Sequence, residues 1–214
     1  EGFYRMPKPT PFHPRTQALC TSYNWKSWAG YYAVNAYDIC HEREYNAFRQ
    51  ATGVIDVSPL YKYDIKGPEA ATFLSWLTVK DITRLKLNRA TYLCWTDEAG
   101  KVIDDGTCAR LGDHHFRLTA AEPMYHWFAQ NARGFDVQIH DISDEFAALA
   151  IQGPTARDVL RAISHDIDAD GLRFFGVAEG QLAGAPGVVT RTGYTGDLGY
   201  ELWVRNEDAL PLWD

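Results

Sequence analysis

The 214-residue chain has no apolar run approaching the roughly 20 residues that a membrane-spanning helix needs. No secretory leader is evident in it. Its four cysteines stand at 20, 40, 94 and 108, with no CxxC pair and no histidine cluster at zinc spacing. No metal site is therefore expected, and reduced, buried thiols are. Positive charge is also short: 21 Lys and Arg against 28 Asp and Glu leave a net charge of −7. That balance argues against a general nucleic-acid binder, which needs a basic face, although a local positive pocket stays open. These absences describe a soluble protein with neither a membrane nor a nucleic-acid partner. We expect it in the cytoplasm, or in the mitochondrial matrix if its source is eukaryotic.

Apolar residues make up 46% of the chain, enough for a packed core in one large or two small domains. Aromatic side chains are frequent, with 12 Tyr, 10 Phe and 7 Trp. They can fill that core, and a few can line a pocket for a flat heterocycle.

Pro7, Pro9, Pro11 and Pro14 make residues 1–16 an extended, poorly helical arm. Residues 19–37 show no clean period and read as loop and short strand. Residues 40–52 read as helix, with Tyr45 and Phe48 at helical spacing and Gly53 as its stop. Val54 to Val57 is a strand. Alternation at 90–95 and 101–111 around Asp97-Glu98-Ala99-Gly100 predicts a hairpin. Further strands are expected at Phe116–Thr119, Val137–Ile139, Ala147–Ile151, Val188–Arg191 and Tyr200–Val204. Helices are expected at 123–132, at Ala156–Ile163 and from Asp208.

Ile65-Lys66-Gly67-Pro68 is echoed by Ile151-Gln152-Gly153-Pro154. Each reads as strand, Gly-Pro, then helix, because proline's missing N–H costs nothing in a first helical turn. The echo is either a pseudo-duplication or one local device used twice. Short hairpin-linked strands with few helices mean an α+β fold with antiparallel sheets and flanking helices.

Two segments carry candidate chemistry. Val102-Ile103-Asp104-Asp105-Gly106 places adjacent acids at the end of a strand, where alternation sends them to opposite faces. One can face a pocket while the other bonds backbone, or both can be turn acids. Arg191-Thr192-Gly193-Tyr194-Thr195-Gly196-Asp197-Leu198-Gly199-Tyr200-Glu201 is a glycine-rich run that fits no phosphate loop. Its glycines permit positive φ and close ligand approach, or simply a tight hairpin. A buried carboxylate at Glu201 needs donors, and the two-donor edge of a pterin supplies them. His114 and His115 read as a solvated hairpin tip.

In this order these segments resemble the glycine-cleavage T-protein (aminomethyltransferase) family. The resemblance also takes in Thr10-Pro11, Ile55-Asp56-Val57-Ser58, Lys80-Asp81-Ile82, Ala90-Thr91-Tyr92 and Ile151 to Pro154. It implies two intertwined subdomains of the aminomethyltransferase folate-binding fold, at 1–60 plus 140–214 and at 61–139, the latter ferredoxin-like. The family's C-terminal barrel domain would lie beyond Asp214, so the chain looks like a partial member. Asp105 aligns with the family's catalytic acid. Glu201 aligns with the carboxylate that binds the pterin edge, and Tyr92, Tyr194 and Arg191 join it as folate contacts. The implied cofactor is tetrahydrofolate and the implied partner is a lipoyl carrier, the glycine cleavage H-protein. The implied reaction passes an aminomethyl group from that carrier to the folate and releases ammonia. Departures occur at Ser58-Pro59-Leu60, where relatives commonly have Ser-His-Met, at Asp197-Leu198 for Glu-Asp, and at Phe174 for a Tyr. They keep two alternatives open: a folate-dependent demethylase or folate domain of a dimethylglycine or sarcosine dehydrogenase, and a non-catalytic folate-binding module.

Overall fold

The computed structural model describes residues 6–214, so the first five residues of the expected arm lie outside the described residues. In chain order the elements are β1 (Lys8–Pro9), α1 (His13–Leu19), β2 (Asn24–Trp28), β3 (Tyr31–Ala36), α2 (Glu42–Gln50), β4 (Gly53–Asp56), β5 (Tyr61–Lys66), α3 (Ala70–Leu77), β6 (Arg89–Thr96), β7 (Val102–Gly112), β8 (His115–Ala120), α4 (Tyr125–Asn131), β9 (Gln138–Asp141), β10 (Phe146–Gln152), α5 (Ala156–Ile163), β11 (Val177–Leu182), β12 (Ala185–Thr190), β13 (Gly199–Arg205) and α6 (Ala209–Trp213). The mixed α+β class is the one expected. The proline-rich arm differs: α1 occupies its end, because Pro14 sits in the first helical turn, where a missing N–H is harmless.

The contacts divide the chain into two units. The first takes the chain up to Pro59 together with Glu145–Phe174 and Ala178–Asp214; the second takes Leu60–Asp144 and Phe175–Val177. The first unit carries a five-stranded sheet of order β11-β12-β13-β10-β4 and a small sheet of order β1-β3-β2. Its core gathers Phe12, Leu149, Ile151, Leu160, Tyr200, Leu202 and Leu212. The second unit carries an antiparallel sheet of order β6-β7-β8-β5-β9. Its core gathers Tyr63, Ile65, Phe73, Trp95, Phe116, Leu118 and Phe128, with Phe128 edge-on to Tyr63 at 5.1 Å.

The Gly-Pro echo is architectural. In each five-stranded sheet the strand that runs into Gly-Pro (β5 or β10) lies fourth, beside the last strand of the following run of three (β8 or β13). The registers agree, since Ile65 faces Phe116 and Ile151 faces Tyr200. Gly67 and Gly153 share a positive φ, 139° and 133°. A Cβ there would stand 2.4 Å from the Asp136 carbonyl oxygen or 2.2 Å from that of Ala51, so only glycine fits either corner. The fifth strands arrive differently. β9 follows β8 through α4, whereas β4 precedes all its partners in the chain.

Alternation on β5 sends Tyr63 and Ile65 into the core and Asp64 to the other face. There the buried Asp64 carboxylate receives Arg117 in a two-pronged contact, Nε at 2.8 Å and Nη2 at 3.2 Å. His115 Nε2 lies 2.9 Å away and Lys66 Nζ 3.5 Å. Burial works to raise the Asp64 carboxyl, but the close approach of His115 and the hydrogen bonds from Arg117 outweigh it and hold the group well below the usual carboxylate range. His115 is therefore half-buried against Asp64, not part of a solvated tip; only His114 stays exposed. All four cysteines are free thiols, and complete burial pushes Cys108 up to about 12. Among the described residues no helix is long and apolar enough to cross a membrane.

Candidate functional site

In the second unit β7 pairs with β6 so that Asp105 faces Cys94 across the ladder. The two adjacent acids do different work. Asp104 is buried, and its Oδ2 accepts the backbone N–H groups of Ala121 and Glu122, both at 3.0 Å, while Oδ1 accepts that of Asp105 at 2.7 Å. It ties the end of β8 to β7. Asp105 points the other way and is exposed, and Oδ2 accepts the hydroxyl of Tyr92. That hydrogen bond, more than any other cause, raises the Tyr92 phenol above its ordinary value. Gly106 completes the motif: a Cβ there would sit 1.9 Å from the Thr119 carbonyl oxygen, so the backbone needs the missing side chain. The acid pair thus consists of a structural carboxylate and an outward, exposed one. Replacing Asp104 by Ala leaves three part-buried backbone donors without this acceptor and should cost about 1–3 kcal/mol, read from chemical denaturation.

In the first unit β13 and the glycine-rich run close around one amide. Gln152 is buried, its Nε2 donates to the Thr192 carbonyl at 3.2 Å, and its Oε1 accepts the Thr195 hydroxyl at 3.0 Å. A Cβ on Gly193 or Gly199 would stand 2.0 Å from that Oε1. These two glycines make room for Gln152. Only Gly196 has the positive φ, 82°, that the sequence led us to expect of the run. Arg49 on α2 holds the run from outside, donating to the Thr195 carbonyl at 2.9 Å and pairing with Asp197.

Glu201 is buried on β13, with Thr190 Oγ1 at 3.5 Å from Oε2 and Thr192 Oγ1 a further 2.6 Å from Thr190 Oγ1. Tyr194 projects from the loop with 67% of its surface exposed, and burial at its hydroxyl, then the Glu201 charge, raise the phenol above its ordinary value. Arg191 is half-buried and donates from Nη1 to the Leu172 carbonyl at 3.0 Å. Tyr92 and Asp105 therefore meet in the second unit, Tyr194 and Glu201 influence each other in the first, and Arg191 spends one donor on Leu172.

The first unit also holds a cavity of about 400 Å³, within the range of small-molecule sites. Trp28, Tyr32, Tyr37, Glu44, Asp56 and Tyr194 are among its walls. Sequence reasoning named only Tyr194 there as a site residue and quoted Ile55-Asp56 without a role. Glu44 and Tyr37 lie in segments with no motif of their own, and the fold alone brings them together. Gln152 was quoted within a motif but given no role; its place between two glycines of a distant motif was the missing signal.

Residues 12–214 match the family model described as GCVT N-terminal domain. The chain is 38% identical over 176 residues to an aminomethyltransferase from Thermoanaerobacter sp., covering 80% of this chain and 48% of that protein. It is 38% identical over 190 residues to an aminomethyltransferase from Thermus thermophilus, covering 86% and 54%. The solved glycine cleavage system aminomethyltransferase T from Bartonella henselae superposes with a TM-score of 0.85 at 26% identity, over 96% of this chain and 56% of that one. The heterotetrameric sarcosine oxidase from Corynebacterium sp. U-96 shares the fold at a TM-score of 0.61 and 16% identity, over 96% of this chain and 90% of that one. The chain thus spans about half the length of the curated relatives it matches. With a family model covering almost all of its residues and the same fold in a solved aminomethyltransferase, the chain belongs to the GCVT N-terminal domain family.

Proposed function

We propose that this chain is the folate-binding part of a tetrahydrofolate-dependent one-carbon transferase, an aminomethyltransferase of the glycine cleavage system that works in the cytoplasm on a lipoyl carrier, the H-protein. The two subdomains of that fold are assigned to residues 1–60 plus 140–214 and to 61–139. The observation that carries the reading is the divided acid pair: Asp104 is consumed by backbone, while the exposed Asp105 carboxylate, among the described residues, accepts a hydrogen bond from Tyr92 alone.

The donor set suits a reduced pterin. Glu201 presents a buried carboxylate beside two hydroxyls, and a carboxylate can accept the paired amino and ring N–H groups of the pterin edge. Tyr194 and Tyr92 offer exposed rings to a flat heterocycle. Arg191 contributes through the N–H groups not given to Leu172. Bound tetrahydrofolate supplies the amines that take the one-carbon unit. Asp105 holds or moves a proton beside them, and the Tyr92 hydroxyl fixes the carboxylate's orientation.

Two measurements test this. Calorimetric titration with tetrahydrofolate should show binding that Glu201→Gln weakens at least tenfold, since a charge-assisted hydrogen bond contributes about 1.5–3 kcal/mol; undiminished affinity would remove Glu201 from the site. Product analysis should find ammonia released in step with folate consumption. A methylated folate in its place would move the protein to the demethylase reading.

A further inference from the structure

β7 keeps β6 as its partner along nearly its whole length, but its ladder with β8 runs only from Gly112 opposite His115 to Cys108 opposite Leu118. At the next step the join passes to a side chain. The Thr107 backbone N–H donates to Thr119 Oγ1 at 2.9 Å in place of a carbonyl. The proton of that hydroxyl has Thr107 Oγ1 at 3.0 Å and the Thr107 carbonyl at 3.4 Å. Thr119 is buried, so little water competes for these bonds. Beyond it, Gly106 lies against the Thr119 carbonyl, and Asp104 holds the N–H groups of Ala121 and Glu122. Side chains thus tie β7 to β8 at Asp104 and at Thr107, on either side of Asp105.

This exchange of backbone for side chain falls where the candidate site lies. Across the ladder with β6, Thr107 is opposite Tyr92 and Asp105 is opposite Cys94. Alternation puts Thr107 and Asp105 on one face, and their cross-strand partners share it. The Tyr92 side chain crosses the diagonal of that face to reach Asp105. A regular ladder would hold β7 at the fixed spacing of paired strands. With a hydroxyl inserted, the Thr119 side chain sets the spacing at Thr107, and Tyr92 and Asp105 are placed from Thr107. The hydrogen bonds of the Thr119 hydroxyl all go to Thr107, so it acts on the other two groups only through β7.

We propose that Thr119 is a positioning residue: its hydroxyl sets where the Asp105 carboxylate meets the Tyr92 hydroxyl, and so where that carboxylate stands beside the amines of bound tetrahydrofolate. The placement of Asp105 against Tyr92 is a property of this chain alone. Its effect on turnover rests on Asp105 as the proton-handling group.

Thr119→Val keeps the size of the side chain and removes the hydroxyl. In the full protein it should lower kcat for folate-dependent ammonia release by about 10–100-fold, the scale of a small misplacement of a reacting group, and leave tetrahydrofolate affinity unchanged. Thr119→Ser, which keeps the hydroxyl, should recover most of the loss. In an Asp105→Asn background Thr119→Val should cost nothing further, because groups that act as a unit are not additive. A second reading needs no turnover. NMR of ring-labelled tyrosine, with Tyr92 identified by its loss in Tyr92→Phe, should show the raised Tyr92 phenol titrating closer to its ordinary value in Thr119→Val and unchanged in Thr119→Ser. Thr119→Ala gives the same readings if the valine variant does not fold. An undiminished kcat beside a collapsed Asp105→Asn, a parent-like Tyr92 titration without the Thr119 hydroxyl, or losses that add to those of Asp105→Asn overturn the proposal. Full turnover by Asp105→Asn would instead remove Asp105 from the chemistry and leave the Tyr92 titration to decide the placement.

Discussion

Asp105→Asn should lower turnover by roughly 10²–10⁴-fold, the range for removal of a general acid or base, and leave the fold intact. The expectation follows from the division of labour in the acid pair. Asp105 is exposed, and its backbone N–H, not its side chain, is what Asp104 uses. An amide of the same size still accepts the Tyr92 hydroxyl, so the local geometry survives. Only the capacity to carry a proton is lost. Steady-state kcat, measured beside tetrahydrofolate affinity and an unfolding curve, separates this from damage. The signature is a collapsed kcat with affinity and stability unchanged. Tyr92→Phe should show a smaller loss in kcat, because it frees the carboxylate's orientation without removing it. Full turnover by Asp105→Asn would end its assignment as the proton-handling group.

Asp64→Asn should destabilise the second unit by about 3–5 kcal/mol, the usual consequence of breaking a buried ion pair by removing one partner. Arg117 keeps its burial but loses the carboxylate that accepts from both Nε and Nη2. His115 and Lys66 lose the same anchor. The pH dependence has a definite sign. The folded carboxyl lies well below its unfolded value, which is about 3.9, so its contribution is fully present above that value and fades as pH falls toward the folded one. The stability gap between parent and variant should therefore be constant from pH 7 to about 5 and shrink in more acid solution. Urea midpoints at several pH values provide the measurement. A gap that widened with acid would contradict the ion-pair account.

Much of the architecture was readable because the informative residues act locally. Proline at a helix start and glycine at a corner that only glycine can occupy mark β5–α3 and β10–α5, and both corners are found at Gly67 and Gly153. Alternation found the β6–β7 hairpin for the same reason. Where local signals are weak the reading thinned. α1 hid behind four prolines, three of which precede it. The β2–β3 hairpin turns on Ala29 and Gly30, both at positive φ (48° and 79°), and alanine in that position gives no turn signal. β11 lies at a sheet edge and carries Glu179, Gly180 and Gln181, so it shows little apolar pattern. In the candidate site, strand alternation foretold that Asp104 and Asp105 would part company, but not which would face outward. That choice depends on the N–H groups of Ala121 and Glu122, which only the fold brings near. The role of Gly193 and Gly199 was equally hidden, because it depends on a glutamine some forty residues away.

The order of strands in the first sheet has a consequence during synthesis. β4 leaves the ribosome before β5 to β9, yet its hydrogen-bonding neighbour β10 is made only after they have emerged. At about 5–20 residues per second, β4 waits several seconds with an open edge while the intervening stretch can collapse on its own. Translation therefore imposes a sequence of events: the sheet of β5 to β9 can be completed before the sheet that holds β4 and β10 closes.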